Sequence, residues 1–393
     1  KPFFIKGTVF SPVKIGESPA ESTMQDWMSY DDDKNGLNDI AFETWLDKNK
    51  NNKKDSDEKP EGDFSLLKKM GANTIRLYHV PSDNPLLGDI YRHNAGIQKQ
   101  FDHAPNKELL RKLHKDYGIR VLMGNFLGSW TIGSGATWEE GTDYTNPVHR
   151  ENIKKSVQAM VLDNKDEPYV LMWVLGNENN IAIWSKSNAN REPEAYATLV
   201  GEIVDMVHQL DPEHPVAVCD GDGAGLLNSV KNYAVHAPEV DVLAFNSYRG
   251  KFGFNPLWKS IKNTLDRPIF ITEWGIFAYQ TAKGEDQEMQ LEYIKGSWKN
   301  IAVNSADYYG SGEKSVGNSI GGTVFDWVDR WYMDGTPSEH NPGTKPWDSP
   351  DRLDHEEWFG QLSMGDGSDT LMRQRRKSYD YFADVWNRNK LSF

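Results

Sequence analysis

The chain has 393 residues, a formal net charge of −14 and a pI near 5.2, a size that suits one large domain. Its acidity disfavours binding to a phosphate backbone, so we expect no nucleic-acid partner. Its one cysteine, Cys219, excludes an internal disulfide, and no apolar run approaches the roughly 18 residues that would cross a bilayer.

A polar insertion follows the first predicted strand, residues 3–9, and runs from about residue 11 to 61. Within it, oxygen-bearing side chains alternate and a glycine occupies the bend, as in the first nine positions of a calcium-binding loop. The predicted ligands are Asp31, Asp33, Asn35 and Asp39. Position twelve of this loop is Phe42 instead of glutamate, and a second, less complete loop runs from residue 47 to 58. Structural Ca²⁺ and a solvated acidic loop therefore both remain open.

Beyond the insertion, apolar runs of strand length alternate with amphipathic helices. The seven further predicted strands are residues 73–80, 119–126, 169–178, 215–220, 240–248, 268–274 and 319–327. The predicted helices are residues 63–70, 108–117, 150–162, 194–210, 224–230, 256–265, 287–303 and 371–386.

This alternation predicts an α/β protein, a right-handed parallel (β/α)8 TIM barrel. An open doubly wound sheet has the same local pattern, but no glycine-rich phosphate loop follows the first strand. We expect a single domain over residues 1–393, with the insertion at about 11–61 and a long loop at about 328–370.

Two of the predicted strands end in a glutamate. The apolar run YVLMWVLGNE ends at Glu178, and PIFITEW carries Glu273. Because the C-terminal ends of barrel strands converge on one mouth, the two side chains should share a cleft. Cleavage of a glycosidic bond needs one carboxylic acid to protonate the leaving oxygen and one carboxylate to attack the anomeric carbon. Glutamates on strands four and seven lie on opposite sides of the barrel mouth. That arrangement is compatible with the distance of about 5–5.5 Å between the two carboxyl groups of a retaining glycosidase.

The neighbours of the two glutamates suggest different roles for them. Arg76 and Tyr248 are predicted to donate hydrogen bonds to Glu273 and keep it ionised. Glu178, which faces another anion and an apolar wall such as Trp173, should have a raised pKa. Further strand-end or loop residues expected to contact substrate are His79, Asn125 and Trp130. Tyr248 and Trp327 could instead be core aromatics.

The segments LMWVLGNE and IFITEWG resemble the strand-four and strand-seven signatures of glycoside hydrolase clan A, the retaining TIM-barrel glycosidases. The segments FFIKGTVFSP and GANTIRLYH are similar to the start of the barrel in β-galactosidase and β-glucuronidase relatives and in β-1,3-glucanosyltransferases. The resemblance implies that Glu178 is the acid/base and Glu273 the nucleophile. It also implies that Asn177 binds the sugar 2-hydroxyl and that Trp327 floors the subsite of the cleaved sugar.

The sequence thus favours a retaining β-glycoside hydrolase that acts on an oligo- or polysaccharide, with a β-glucan slightly preferred and no cofactor for catalysis. A β-glucan transglycosidase would use the same two glutamates and transfer the sugar to another sugar instead of water. A non-catalytic glycan-binding protein on the same scaffold is the alternative from a different class, and the presence of both carboxylates argues against it. The start at Lys1 suits a trimmed protein, so we expect a secreted or periplasmic location.

Overall fold

The computed structural model describes residues 3–19, 24–80, 106–306, 315–388, 390, 391 and 393. Eight parallel strands form a closed barrel in chain order, with the last strand paired to the first. The strands are β1 (Ile5–Val9), β2 (Thr74–Arg76), β3 (Arg120–Asn125), β4 (Val170–Leu175), β5 (Val216–Gly221), β6 (Val242–Asn246), β7 (Ile269–Glu273) and β8 (Ser319–Val324). The predicted TIM barrel is confirmed.

An α-helix of 8 to 18 residues follows each barrel strand in the described part of the chain. The helices are α1 (Asp63–Met70), α2 (Lys107–Tyr117), α3 (Pro147–Asn164), α4 (Pro193–Leu210), α5 (Leu226–His236), α6 (Leu257–Thr264), α7 (Gln287–Val303) and α8 (Lys377–Trp386). Local signals define their ends: the Asn106 side chain accepts the N–H of Leu109 at the start of α2, and Gly118 ends that helix at φ +71°. None of the described helices is both long and apolar enough to span a membrane.

The barrel strands are apolar on both faces because each face packs against a different layer. Met172 and Val174 of β4 point into the barrel, whereas Trp173 and Leu175 pack in the layer between barrel and helices. Cys219 also lies inside the barrel, where burial raises the pKa of its thiol to about 12.

Several short elements lie outside the barrel strands and the eight helices. In the insertion, Trp45–Leu46 pairs in parallel with Met372–Arg375, which pairs antiparallel with Leu362–Ser363 from the long last loop. The remaining short elements are a hairpin (Tyr279–Gln280 and Gly284–Glu285), a helix (Ala182–Ser185), a π-helical turn (Asp39–Glu43) and 3-10 turns (Trp27–Ser29, Ser129–Thr131, Gly250–Phe252 and Glu356–Trp358).

The helix predicted from residue 371 is wrong in its first turn, because a strand occupies Met372–Arg375 and α8 begins at Lys377. The reason is a long-range interaction. Arg373 is buried and its Nε lies 3.0 Å from the carboxylate of Asp63 in α1, and backbone pairing to the insertion holds the segment extended. Burial with paired charge outweighs the local helical pattern.

Candidate active site

The two glutamates reach the mouth of the barrel by different local routes. Glu273 is the last residue of β7. Glu178 lies three residues beyond β4, in a turn where Gly176 has φ +80° and Glu178 itself φ +55°. A Cβ at Gly176 would lie 2.8 Å from the hydroxyl of Tyr196, so glycine is required on steric grounds as well. This turn, rather than a continued strand, directs Glu178 towards the cleft.

Three donors surround the carboxylate of Glu273. Arg76 Nη1 lies 3.0 Å and the Tyr78 hydroxyl 2.7 Å from its Oε1, and the Tyr248 hydroxyl lies 2.8 Å from its Oε2. The predicted contacts of Arg76 and Tyr248 with Glu273 are confirmed. The contact of Tyr78 was not predicted, although it follows Arg76 at the two-residue spacing that places side chains on one face of a strand.

A hydrogen-bonded network joins Glu273 to Glu178. Asn246 donates from Nδ2 to Glu178 Oε1 at 3.1 Å and accepts at Oδ1 from Arg76 Nη1 at 3.1 Å. Asn177 Oδ1 accepts from Arg76 Nη2 at 2.7 Å and from Asn246 Nδ2 at 3.1 Å. The structure therefore brings the two predicted glutamates, Asn177 and Arg76 together in one polar cluster. Asn246, at the end of β6, is the residue that links the two carboxyl groups.

The environment of Glu178 favours its protonated form. Burial raises the pKa of Glu178 to about 7, and the charge of Glu273 acts in the same direction. Hydrogen bonds from Trp184, whose Nε1 lies 2.6 Å from Oε2, and from Asn246 act against this rise. The predicted increase in pKa is confirmed, but Trp173 does not form the wall: it packs outside the barrel and its Nε1 donates to Asp211 at 2.8 Å.

A second group of charges lies beside Glu273 and was not predicted. Arg330 is buried, donates to Asp326 and, at 2.9 Å, to Ser11 Oγ, and lies 4.6 Å from the centre of the Phe325 ring. Burial raises the pKa of Glu356 to about 8, with Asp354 adding to the rise and Arg330 opposing it. Glu356 belongs to the long loop before α8, where no periodic pattern in the sequence identifies a site residue.

Trp327 does not floor a sugar subsite. Its side chain is 0% exposed, and its Nε1 donates to Asp63 Oδ2 at 2.8 Å on the side of α1. The strand β8 ends at Val324, so Trp327 lies beyond the strand end and packs into the core. A tryptophan that does lie next to Tyr248 is the partly exposed Trp347, at 5.2 Å between ring centres.

Two other predicted substrate contacts have structural roles. Asn125 is 1% exposed, with its amide bonded to Ser156 Oγ and the backbone N–H of Leu127, which contradicts direct contact with a sugar. His79 is also buried, and its Nδ1 accepts the N–H of Phe126. Both side chains hold the loop after β3. Trp130 of that loop is partly exposed and packs edge-on against Phe126 at 5.0 Å, so its contact with substrate stays a prediction.

The predicted calcium ligands lie close together in the insertion. Carboxylate oxygens of Asp31, Asp33 and Asp39 fall within 4.8 Å of one another, and the amide of Asn35 donates to Asp33. An all-oxygen donor set suits a hard cation such as Ca²⁺. Lys14 Nζ, however, lies 2.7 Å from Asp39 Oδ2 and already supplies one positive charge. Calcium binding stays a prediction.

Comparison with known families identifies a match over more than half of the chain. The family described as "Glycosyl hydrolases family 2, TIM barrel domain" matches residues 92–299. This family belongs to clan A, which confirms the resemblance drawn from the two glutamate segments.

The curated relatives with similar sequences include two β-glucuronidases. The protein of Chlorocebus aethiops is 24% identical over 256 residues, covering 61% of this chain and 30% of the relative. The protein of Pongo abelii is 25% identical over 192 residues, covering 47% of this chain and 21% of the relative. The chain thus spans less than a third of the length of these relatives. Their names do not support the expected β-glucan substrate.

Solved structures share the fold at low identity. A β-D-glucuronidase of Dictyoglomus thermophilum gives a TM-score of 0.51 at 16% identity, over 90% of this chain and 52% of that protein. A β-galacturonidase of Eisenbergiella tayi, bound to galacturonate, gives a TM-score of 0.51 at 17% identity, over 84% of this chain and 47% of that protein. At these identities the likeness concerns the barrel alone.

Proposed function

Because the chain belongs to glycosyl hydrolase family 2, we propose that it hydrolyses a β-glycoside with retention of configuration at the anomeric carbon. The observation that carries the proposal is the network in which Arg76 and Asn246 connect Glu273 to Glu178. The two carboxyl groups sit in different environments: Glu273 lies beside a guanidinium group and two hydroxyls, whereas Glu178 is partly buried and has a raised pKa. Such a division is what an acid and a nucleophile require.

In the first step, Glu178 transfers its proton to the glycosidic oxygen while Glu273 attacks the anomeric carbon. The bond to the leaving group breaks and a covalent glycosyl-enzyme forms. In the second step, the ionised Glu178 removes a proton from water, whose oxygen attacks the same carbon and releases Glu273 as a carboxylate. Each step inverts the anomeric centre, so the product retains the configuration of the substrate.

The donors around Glu273 fix its orientation for attack. Arg76, Tyr78 and Tyr248 together contact both carboxylate oxygens. Asn177 Oδ1 already accepts two hydrogen bonds within the protein, which leaves its NH₂ group to donate to a sugar hydroxyl. This assignment agrees with the role that the resemblance implied for Asn177.

For the substrate class, we propose a β-glycoside of a uronic acid, in keeping with the names of the relatives. A uronate carboxylate needs a cation in the cleft, and Arg330 is the candidate. Arg76 is occupied by Glu273, Asn177 and Asn246, whereas Arg330 lies beside the nucleophile's partner Tyr78, 5.8 Å from its ring centre. A second candidate is a neutral β-glycoside, favoured because Asp326 already pairs with Arg330 and compensates its charge.

The test is a panel of 4-nitrophenyl β-glycosides: glucuronide, galacturonide, glucoside and galactoside. We expect turnover of a uronide and, by NMR of the first product, the β-anomer before mutarotation. Glu273→Ala should abolish turnover, and the exposed Glu239→Gln serves as the matched control. An α-anomer as first product would overturn the retaining mechanism. Preference for the glucoside would overturn only the uronide assignment, and products longer than the substrate would indicate transglycosylation.

A further inference from the structure

The carboxyl group of Glu178 is held from two sides by donors of different kinds. Oε1 accepts from Asn246 Nδ2 at 3.1 Å, and Oε2 accepts from the indole Nε1 of Trp184 at 2.6 Å. Asn246 is buried at the end of β6, whereas Trp184 is 51% exposed on the short helix Ala182–Ser185. A half-exposed tryptophan that bonds directly to the acid/base calls for a role beyond packing.

The position of Trp184 is fixed by the loop that carries it. Asn180 exchanges two hydrogen bonds of 2.8 Å with the backbone of Gly221 at the end of β5. Ser185 Oγ closes the short helix on the carbonyl of Ile181 at 2.9 Å, and the carbonyl of Lys186 accepts the N–H of Thr142 at 2.9 Å. Anchors on both sides of the helix therefore present the indole to Glu178.

We propose that Trp184 is a positioning residue for the acid/base: its indole N–H orients the Glu178 carboxyl group and favours the ionised form that the second step requires. This inference rests on the proposed function. An indole N–H can only donate, so its bond is stronger to a carboxylate than to a carboxylic acid. In the protonated form of Glu178, the acidic proton must then occupy a lone pair of the carboxyl oxygens that accepts no hydrogen bond from Trp184 or Asn246.

The charged groups around Glu178 set the direction of the effect. Glu273 raises the pKa of Glu178, and Tyr248 lies close enough for the Glu178 charge to act on its own pKa. Trp184, Asn246 and Arg76 lower the pKa of Glu178. Removing the indole N–H deletes one of these lowering contacts, so Glu178 should hold its proton to higher pH.

The two chemical steps respond oppositely to this change. The first step needs protonated Glu178, and its dependence on pH appears in kcat/KM. The second step needs ionised Glu178 and limits kcat for substrates with a good leaving group. Loss of the donor should therefore preserve kcat/KM at neutral pH while it lowers kcat for aryl glycosides. Loss of packing alone would have no reason to separate the two parameters.

The test compares Trp184→Phe, which keeps an aromatic ring without the N–H, with Ile183→Ala at the neighbouring residue, which is 81% exposed. For Trp184→Phe we expect the basic limb of kcat/KM to move up by about one pH unit. A shift of this size corresponds to the loss of one of the weaker hydrogen bonds to a charged group. We also expect kcat for a 4-nitrophenyl glycoside at pH 7 to fall about fivefold, because the ionised fraction of Glu178 drops from about half to about a tenth, with a larger burst of nitrophenol. Ile183→Ala should follow the wild type.

A second measurement does not depend on turnover. Carbon-13 NMR of labelled glutamate carboxyls, with Glu178→Gln to assign the signal, gives the titration of Glu178 in the wild type and in Trp184→Phe. An upward shift supports the role of Trp184, and superimposed titrations overturn it. Equal changes in Trp184→Phe and Ile183→Ala would also overturn it. If Glu178 titrates as expected but no glycoside is hydrolysed, the proposed function fails and the contact stands.

Discussion

Replacing Glu178 by glutamine removes a titrating group without a large change in shape. With a pKa of about 7, about half of the Glu178 side chains carry a proton at pH 7, against about 0.3% at the ordinary value of 4.5. The environment thus raises the protonated fraction of Glu178 about 150-fold at pH 7. For an alkyl glycoside, whose departure needs protonation, we expect Glu178→Gln to lower kcat/KM by about 10² to 10⁴.

The assay is kcat/KM measured from pH 5 to pH 9. In the wild type kcat/KM should fall as pH rises through about 7, because the protonated acid is lost, and this limb should be absent from the residual activity of Glu178→Gln. A substrate with a very good leaving group should lose much less in the first step. If the variant retains the same basic limb, Glu178 is not the acid.

The same variant has an expected effect on stability. The folded pKa of Glu178, about 7, lies above the ordinary 4.5, so folding favours the protonated form. Stability from this group is complete below pH 4.5 and is lost as pH rises through 7. The difference corresponds to at most about 3 kcal/mol, since the side chain is partly exposed. Glu178→Gln should therefore unfold at higher denaturant concentration than the wild type at pH 8 and match it at pH 4.

Three further outcomes are expected. Tyr78→Phe removes one donor from Glu273, and the loss of a bond to a charged group, about 1.5–3 kcal/mol, should lower kcat about 10- to 100-fold with an unchanged circular dichroism spectrum; unchanged kcat would refute its role. Trp327→Phe removes one of the buried donors of Asp63, which keeps Arg373 and Thr44, and should cost about 1–3 kcal/mol of unfolding free energy without changing KM; a raised KM would restore Trp327 to the substrate site. A chelator should lower the melting temperature if the insertion binds calcium, and an unchanged melting temperature removes that prediction.

The barrel was predictable from sequence because each strand is a short apolar run followed by a helix with local end signals. The same runs located Glu178 and Glu273, since strand ends meet at one mouth. The contacts of Arg76 and Tyr248 followed from the charge of Glu273. Those inferences depended on the spacing of the apolar residues, on the position of each residue relative to a strand end and on the sign of its charge. The sequence shows all three.

Other features depend on contacts between distant segments. Nothing local distinguishes Trp327, which turns into the core beyond the end of β8, from a tryptophan at the mouth. Trp184 and Glu356 lie in loops without periodicity, and only the folded chain brings them to the site. The extended segment Met372–Arg375 has a helix-compatible composition, and its partners lie far away in the chain.

That last segment has a consequence for how the protein is assembled. The strand Trp45–Leu46 emerges from the ribosome long before its partner Met372–Arg375, so it cannot pair until all eight barrel strands have been synthesised. Until then the edge of Trp45–Leu46 that pairs with Met372–Arg375 has no partner strand, and a nascent chain halted before β8 would carry this edge unpaired. Protection of the amide hydrogen of Trp45, which bonds to the carbonyl of Leu371, would thus report when this long-range pairing forms.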